Sequence, residues 1–580
     1  MQDINKVNNV SNSSEIELKK NQSLNPLTKK ILHKNLFNDY KVFPLLIRFI
    51  LPALLVTFFQ AMYIFSDQIM MVKFIPFSND LNPNGLTLEK LFNNNVEFIN
   101  IANQKNILPV DLVRAAISIS SPITLILNGL TLLISMGIAV SFAKALGQQN
   151  VKKIEEVWST GFISNVIIGL ITSFFILGIS PLWLSSSAKG LITNADVDLE
   201  TQAFNNMTQN IQVNLAQGYV YIICGFNIFQ IISKMYYFLF QSEGRQLYIS
   251  IVPTLCNLLN ILLVWVLIVY TSLNFMGSAL ATAIGWGVNL IAYLAYNLIL
   301  IKKNQTNLIW KNLKFKMFSK KLLLIIFFIG FSSFLRNATS AFSNSMFQTY
   351  VVDMTSSTGY DKNFNVSPNI FQSYFGSVSP ISNLALQSVW GLIQGGRTVA
   401  SYKYGCEDYK AIKKIYWYVF LIAIFYGVII YALFSFALNN ILLINLFDVN
   451  ASNLNYVTYI LRVTMVQSVF LAIGTTSQLY FQSTQRVTLS WFSSILQNIL
   501  LFIPLLFIFQ AVGNNIATTN PSIQSSEAAM NFFIWLLPVC TILATIINIL
   551  VSAIHIYTRM GKYENEIKLN LRKPSKFMQR

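Results

Sequence analysis

Of the 580 residues, 54% are hydrophobic and 11% are charged, with a mean hydropathy of +0.52. Soluble globular chains carry roughly 25% charged residues, so this composition excludes a soluble globular protein and indicates an all-α polytopic membrane protein. The net charge of +18 does not mark a nucleic-acid partner. Lys and Arg gather in the two tails and around Lys302–Lys321, while Asp80, Glu89, Glu97, Asp196, Glu200 and Asp361 hold the intervening loops. That alternation is the positive-inside pattern, with both termini in the cytoplasm of a multi-pass cell-membrane protein.

Residues 1–42, rich in Asn, Ser and Lys, read as a disordered cytoplasmic tail. The first apolar run is longer than a signal-peptide core and lacks a small-residue cleavage site, so it reads as a retained span. Six spans are expected at 43–74, 114–143, 157–184, 216–240, 248–270 and 276–301, which make a first lobe over 43–301. A basic cytoplasmic linker, 302–321, leads to six more at 322–350, 380–402, 415–440, 455–481, 489–511 and 529–557. These make a second lobe over 322–557, followed by a basic tail, 558–580. Long polar loops at 75–113 and 351–379 follow the first span of each half and are candidates to cap the outer mouth, or tolerated insertions.

The first span contains VTFFQAMYIFSDQIMMVKF, in which Asp67 is the single acid. A carboxylate at such a place is costly without a partner, a wet cavity or a task. Gln60, Tyr63 and Asp67 share one helical face at spacings of three and four, so this face looks into the lobe. Burial favours the neutral form of a carboxyl, and Asp67 then reads as a group whose proton comes and goes with hydration. Pro52 lacks an N–H and is the expected point of helix bending. The bland alternative has Asp67 snorkelling outward near Lys73.

In the fifth span Asn257 and Asn260 share a face, and asparagines there also serve simply to glue helices together. Thr282 sits in the small-residue run GSALATA, where close packing competes with a ligand role. Arg336 lies deep in the seventh span, where it either neutralises Asp353 or lines the cleft. Trp286 and Trp390 are candidate cavity walls for flat or cationic guests, against lipid contact or core packing. The four cysteines form no C-x-x-C pair, and His33 and His555 are the sole histidines. No resident metal or cofactor and no catalytic constellation is expected, and the absence of a phosphate-binding loop motif argues against ATP-driven pumping.

The chain repeats itself. SPITLILNGLTLLISMG at 121–137 overlies SPISNLALQSVWGLIQGG at 379–396 with a shift of 258, which also aligns Gly137 with Gly395 and Gly147 with Gly405. A shift of 241 aligns Gln241, Ser242, Arg245 and Asn257 with Gln482, Ser483, Arg486 and Asn498. Six spans per half place both halves in the same orientation, so the lobes are related by a pseudo-twofold axis along the membrane normal. The expected plan is two six-helix bundles facing a central cleft.

With Pro52, Tyr63 and Asp67 in the first span, GIAVSFAKALGQQNVKKIEEV at 137–157, LNILLVWVLI and MGSALATAIGW within 259–286, and SYKYGCEDYKAIKK at 401–414, the chain resembles the multidrug and toxic compound extrusion (MATE) family, most of all its DinF-like branch. The resemblance runs over roughly 43–557. It implies a monomeric secondary transporter, not an enzyme, that exports small organic cations or amphipathic compounds across the bilayer in exchange for H⁺ or Na⁺. It implies a coupling site of Asp67, Tyr63, Asn260 and Thr282. The branch's second carboxylate, four residues after the asparagine, is replaced by Val264. That loss weakens a Na⁺ site more than a proton site. The same architecture in the wider superfamily serves flippases for lipid-linked oligosaccharides or lipids, the alternative reading, which calls for a basic cleft built from Arg336, Arg397 and Arg462.

Overall fold

A computed structural model describes residues 41–75, 85–104, 107–188, 199–365, 370–447, 449, 451–519 and 522–560. Almost the whole of both tails, expected to be disordered or basic, lies outside them. The described chain is helical. The first half comprises α1 (Val42–Phe74), α2 (Pro109–Gly147), α3 (Val151–Ser187), α4 (Leu199–Ser242), α5 (Gln246–Val269) and α6 (Asn274–Lys302). The second comprises α7 (Lys320–Ser357), α8 (Ile370–Ser388), α9 (Trp390–Gly405), α10 (Tyr409–Ala432), α11 (Ala451–Ser483), α12 (Val487–Ile495), α13 (Phe502–Thr519), α14 (Ile523–Ile534) and α15 (Leu536–His555). The pairs α8–α9, α12–α13 and α14–α15 each make one span, which gives twelve in two lobes of six.

Eleven of the twelve are long and apolar enough to cross a membrane. The twelfth is the α8–α9 pair, expected at 380–402 and found broken at Val389. The break is satisfied from the first lobe: Thr57 of α1 donates from Oγ1 to the Ser388 carbonyl at 2.9 Å. The span expected at 216–240 begins seventeen residues earlier, at Leu199, because its amphipathic extension has something to pack on. Within the first long loop, helices Leu88–Leu91 and Val96–Gln104 bury Leu91, Phe92 and Ile101 against Phe204 and Ile211 of α4. The described part of that loop is thus a small folded layer with its own core.

The duplication is visible in the turns. Gln149 and Glu407, related by the 258-residue shift, both adopt left-handed backbone (φ 52° and 59°). Each is followed by a capping side chain: Asn150 accepts from the Lys153 N–H at 3.1 Å and Asp408 from the Ala411 N–H at 3.0 Å. Such caps satisfy helix N–H groups that have no intrahelical partner. The linker between the lobes is strapped to α3: Trp158 Nε1 donates to the Ile309 carbonyl (3.2 Å), Ser159 Oγ to that of Asn312 (2.8 Å), and Asn312 Nδ2 to Glu155 (2.9 Å).

The lobes meet mainly at the end of the bundle where this basic linker lies. One buried apolar cluster there draws on both halves, including Leu45, Phe49, Phe142, Trp158, Tyr236 and Phe240 with Ile326, Leu392, Tyr402 and Leu479. Toward the opposite end the halves keep largely separate cores. One is built on Val113, Val220, Val264 and Phe275, the other on Phe347, Phe371, Val457 and Phe533. Gly147 and Gly405 face each other on the pseudo-twofold axis. A Cβ on Gly147 would sit 2.3 Å from the Tyr402 carbonyl oxygen, and one on Gly405 would sit 2.3 Å from that of Lys144. Positions 144 and 402 are themselves related by the same shift, so the crossing is symmetric to the residue.

Candidate functional site

The acid of the first span is buried inside the first lobe. Asp67 is 7% exposed and accepts a hydrogen bond at Oδ1 from Ser278 Oγ at 2.5 Å. Snorkelling toward Lys73 does not occur: the Lys73 ammonium instead donates to the Asn445 carbonyl of the second half at 3.0 Å. Ser278 lies on one face of α6, flanked by the buried small residues Gly277, Ala279, Ala281 and Ala283. Thr282 stands one turn further along that face. Asn260 Nδ2 donates to Thr282 Oγ1 at 3.4 Å, and Asn260 Oδ1 is buried with no partner among the described residues. α6 thus carries two polar pairs one turn apart, Asp67–Ser278 to α1 and Asn260–Thr282 to α5. No direct hydrogen bond joins them among the described residues.

Val264, one turn beyond Asn260 on α5, is fully buried in the apolar core of this lobe. The oxygen donors at hand are therefore one carboxylate, two hydroxyls and an amide. A hard cation prefers a full oxygen shell with matching charge, and among the described residues no group of three or more His, Cys, Asp or Glu is placed to hold a metal ion. Tyr63 precedes Asp67 by one turn on α1, and Tyr219 of α4 lies within electrostatic reach of both.

Below this acid, toward the linker end, a narrow cavity of about 40 Å³ opens between α1, α4, α5 and α6. Among its walls are Gln60, Tyr63, Asn257 and Trp286, four of the residues singled out in the sequence. The other candidates lie elsewhere. Arg336 stacks on Trp390, 4.6 Å from the ring centroid, as a pair within the second half. It does not neutralise Asp353, an exposed residue on the same helix about 25 Å away. Pro52 is inside α1, which continues as helix on both sides of it.

The cavity also brings in groups that the sequence argument leaves unused: Lys234, Tyr237, Tyr293, Gln230 and Asn289. Lys234 is the single charged residue between Gly225 and Ser242 of α4, and that isolation is its signal. Its ammonium donates to Gln60 Oε1 at 3.0 Å and lies 5.8 Å from the centroid of the Tyr237 ring. Ser278 carries no signal in the sequence beyond its i, i+4 spacing from Thr282. The alignment of Ser278 with Asp67 depends on how α1 and α6 cross, which spacing does not give.

Twelve helices in two like lobes, with buried polar groups inside them and an inter-lobe seal at one end, define a duplicated polytopic membrane protein. The MatE family profile matches residues 111–266 and 373–508, one segment in each half, and the chain belongs to that family. An uncharacterized MG447 homolog of Mycoplasmoides gallisepticum is 44% identical over 91% of this chain and 93% of its own length. Among solved structures, an outward-facing multidrug resistance MATE family transporter superposes with a TM-score of 0.67 at 17% identity, over 90% of this chain and 97% of that one. A Pyrococcus furiosus transporter, described as having a binding pocket of reverse polarity, gives 0.68 at 15% identity over 89% and 96%. These structural likenesses establish the shared fold.

Proposed function

We propose that the protein is a proton-coupled antiporter that exports amphipathic organic compounds from the cell by alternating access. The observation that carries this reading is Asp67, a buried carboxyl held by one hydroxyl donor, with apolar Val264 where a second carboxylate would complete a sodium site. A proton needs one base, whereas a sodium ion needs several oxygens. Asp67 shares a helical face with Gln60 and Tyr63, two walls of the neighbouring cavity. A change in its protonation therefore acts on α1, and α1 in turn shapes the cavity. Two further features support alternation. The lobes share a core at the linker end and keep separate cores elsewhere, which suits rocking about that end. The linker end carries the basic residues and is assigned to the cytoplasm, with both termini on that side and the protein a monomer in the cell membrane.

A flippase for lipid-linked oligosaccharides on the same architecture is the second reading. It draws on arginines at membrane depth, but the three do not converge. Arg336 stacks on Trp390, Arg397 is buried against Phe238 and donates to Gln482 at 3.1 Å, and Arg462 is exposed beside Phe436 and donates to the Ser435 carbonyl. Each has its own ring, so they form no shared clamp for a pyrophosphate.

The test is counterflow of a fluorescent amphipath in proteoliposomes under separately imposed gradients. Flux that follows the pH gradient at equal sodium supports the proposal. Flux that follows sodium alone, at equal pH, contradicts it.

A further inference from the structure

The cavity in the first lobe is cationic, and that polarity selects its guest. Of its walls Lys234 is the single ionised side chain, and among the described residues no carboxylate forms an ion pair with it. Asp67 lies two helical turns, about 10 Å, from Gln60 along α1 and is committed to Ser278. The ammonium makes one hydrogen bond, to Gln60, which leaves two of its three donors without a described partner.

Two tyrosines stand among the same walls. Tyr237 is 3% exposed and Tyr293 fully buried; both line the cavity, and neither hydroxyl has a hydrogen-bond partner among the described residues. Buried polar groups are nearly always satisfied, and an orphaned one asks for an explanation such as a missing ligand. The amide of Asn289, whose oxygen has no partner among the described residues, lines the same space. A lone ammonium, two phenolic hydroxyls and a rotatable amide form a donor set, which is what an anion's oxygens need. The space of about 40 Å³, about three or four water-sized probes, fits a compact acidic headgroup rather than a ring system.

We propose that this cavity binds the acidic group of an amphipathic substrate, a carboxylate, sulfonate or phosphate, on Lys234, Tyr237 and Tyr293, with the apolar body extending away from it. The inference rests on the exporter reading and deepens it by naming the charge of the cargo. The same chemistry would hold a free acidic amphipath or the headgroup of an anionic lipid.

The experiment uses the full chain in phosphatidylcholine nanodiscs and two permanently charged probes, a dansylated undecyl sulfonate and its trimethylammonium counterpart, titrated by fluorescence. The sulfonate is expected to bind saturably, with affinity about tenfold weaker in Lys234→Met, within about threefold of the parent in Lys234→Arg, and about threefold weaker in Tyr237→Phe. The Tyr237 variant keeps the ring and removes a hydroxyl that makes no hydrogen bond among the described residues, so the cost to folding is small. Competition by added phosphatidylglycerol assigns the site to a lipid headgroup, and lack of competition assigns it to free acids. Equal sulfonate binding by Lys234→Met and parent, or tighter binding of the ammonium probe, overturns the proposal. Binding needs no ion gradient, which separates the two readings. Lys234-dependent binding without pH-driven flux keeps the anion site and removes the antiporter. pH-driven flux together with equal sulfonate binding by Lys234→Met and parent does the reverse.

Discussion

At Val264 the proposed choice of coupling ion turns on one side chain. It is buried one turn from Asn260, whose amide oxygen has no described partner. Val264→Asp would bring a second carboxylate toward the oxygens of Asn260 and Thr282. A buried unpaired charge is strongly destabilising, so the variant is expected to melt several degrees below the parent in choline chloride. In sodium chloride it should recover most of that loss, while the parent melts alike in both salts. Scanning fluorimetry reads the difference. Glu243 gives a second prediction at this scale. It sits just beyond α4, where burial pushes its carboxyl up from the ordinary carboxylate range. The Asn307 N–H (2.7 Å), Thr306 Oγ1 (2.8 Å) and nearby Arg245 pull the other way but do not cancel the burial. A raised folded-state value means that the proton is held more tightly in the folded protein. Its stabilising contribution is then complete in acid, below the ordinary carboxylate value, and is lost as pH rises through the folded-state value. The parent should therefore lose more thermal stability between pH 4.5 and pH 7.5 than Glu243→Gln does.

Among the elements, the helices packed against the inter-lobe seal tolerate least. Gly147 and Gly405 let α2 and α9 cross with backbone against backbone, and a Cβ on either would meet a carbonyl oxygen at 2.3 Å. Backbone cannot move aside as a side-chain tip can. Gly147→Val and Gly405→Val should each cost at least the ~1–3 kcal/mol of an overpacked core and lower the melting temperature by several degrees. Gly178→Val on α3, where nothing lies within 4 Å, should change it little. The elements also show what a sequence can and cannot carry. The number of spans, their halves and the axis between them follow from apolar runs and two repeats, because burial in lipid and gene duplication both leave periodic marks. The break at Val389 leaves none, since it is stabilised by Thr57 from a helix more than 300 residues away. The α4 extension is polar enough to read as loop, and it is helical because Phe204 and Ile211 meet the loop helices. Asp67 was legible as a lone acid in an apolar run. Its partner Ser278 was not, because helix crossing sets that contact. Lys234 carried a signal as plain as that of Asp67, a single charge within an apolar stretch, and its surroundings give that signal a meaning.

The whole molecule combines a buried acid, a cavity below it that carries Lys234, and two lobes sealed at the linker end. α1 links the three. It carries Asp67 and three walls of the cavity, Val56, Gln60 and Tyr63, and packs Leu45 and Phe49 into the shared core at the linker end. The most direct measurement is efflux of a preloaded fluorescent amphipath from proteoliposomes under an imposed proton gradient at equal sodium, with the parent and Asp67→Asn reconstituted to equal, monodisperse amounts. The account predicts accelerated efflux from the parent and, from Asp67→Asn, no more than protein-free vesicles show. Gradient-driven efflux from Asp67→Asn at the parent's rate would contradict it.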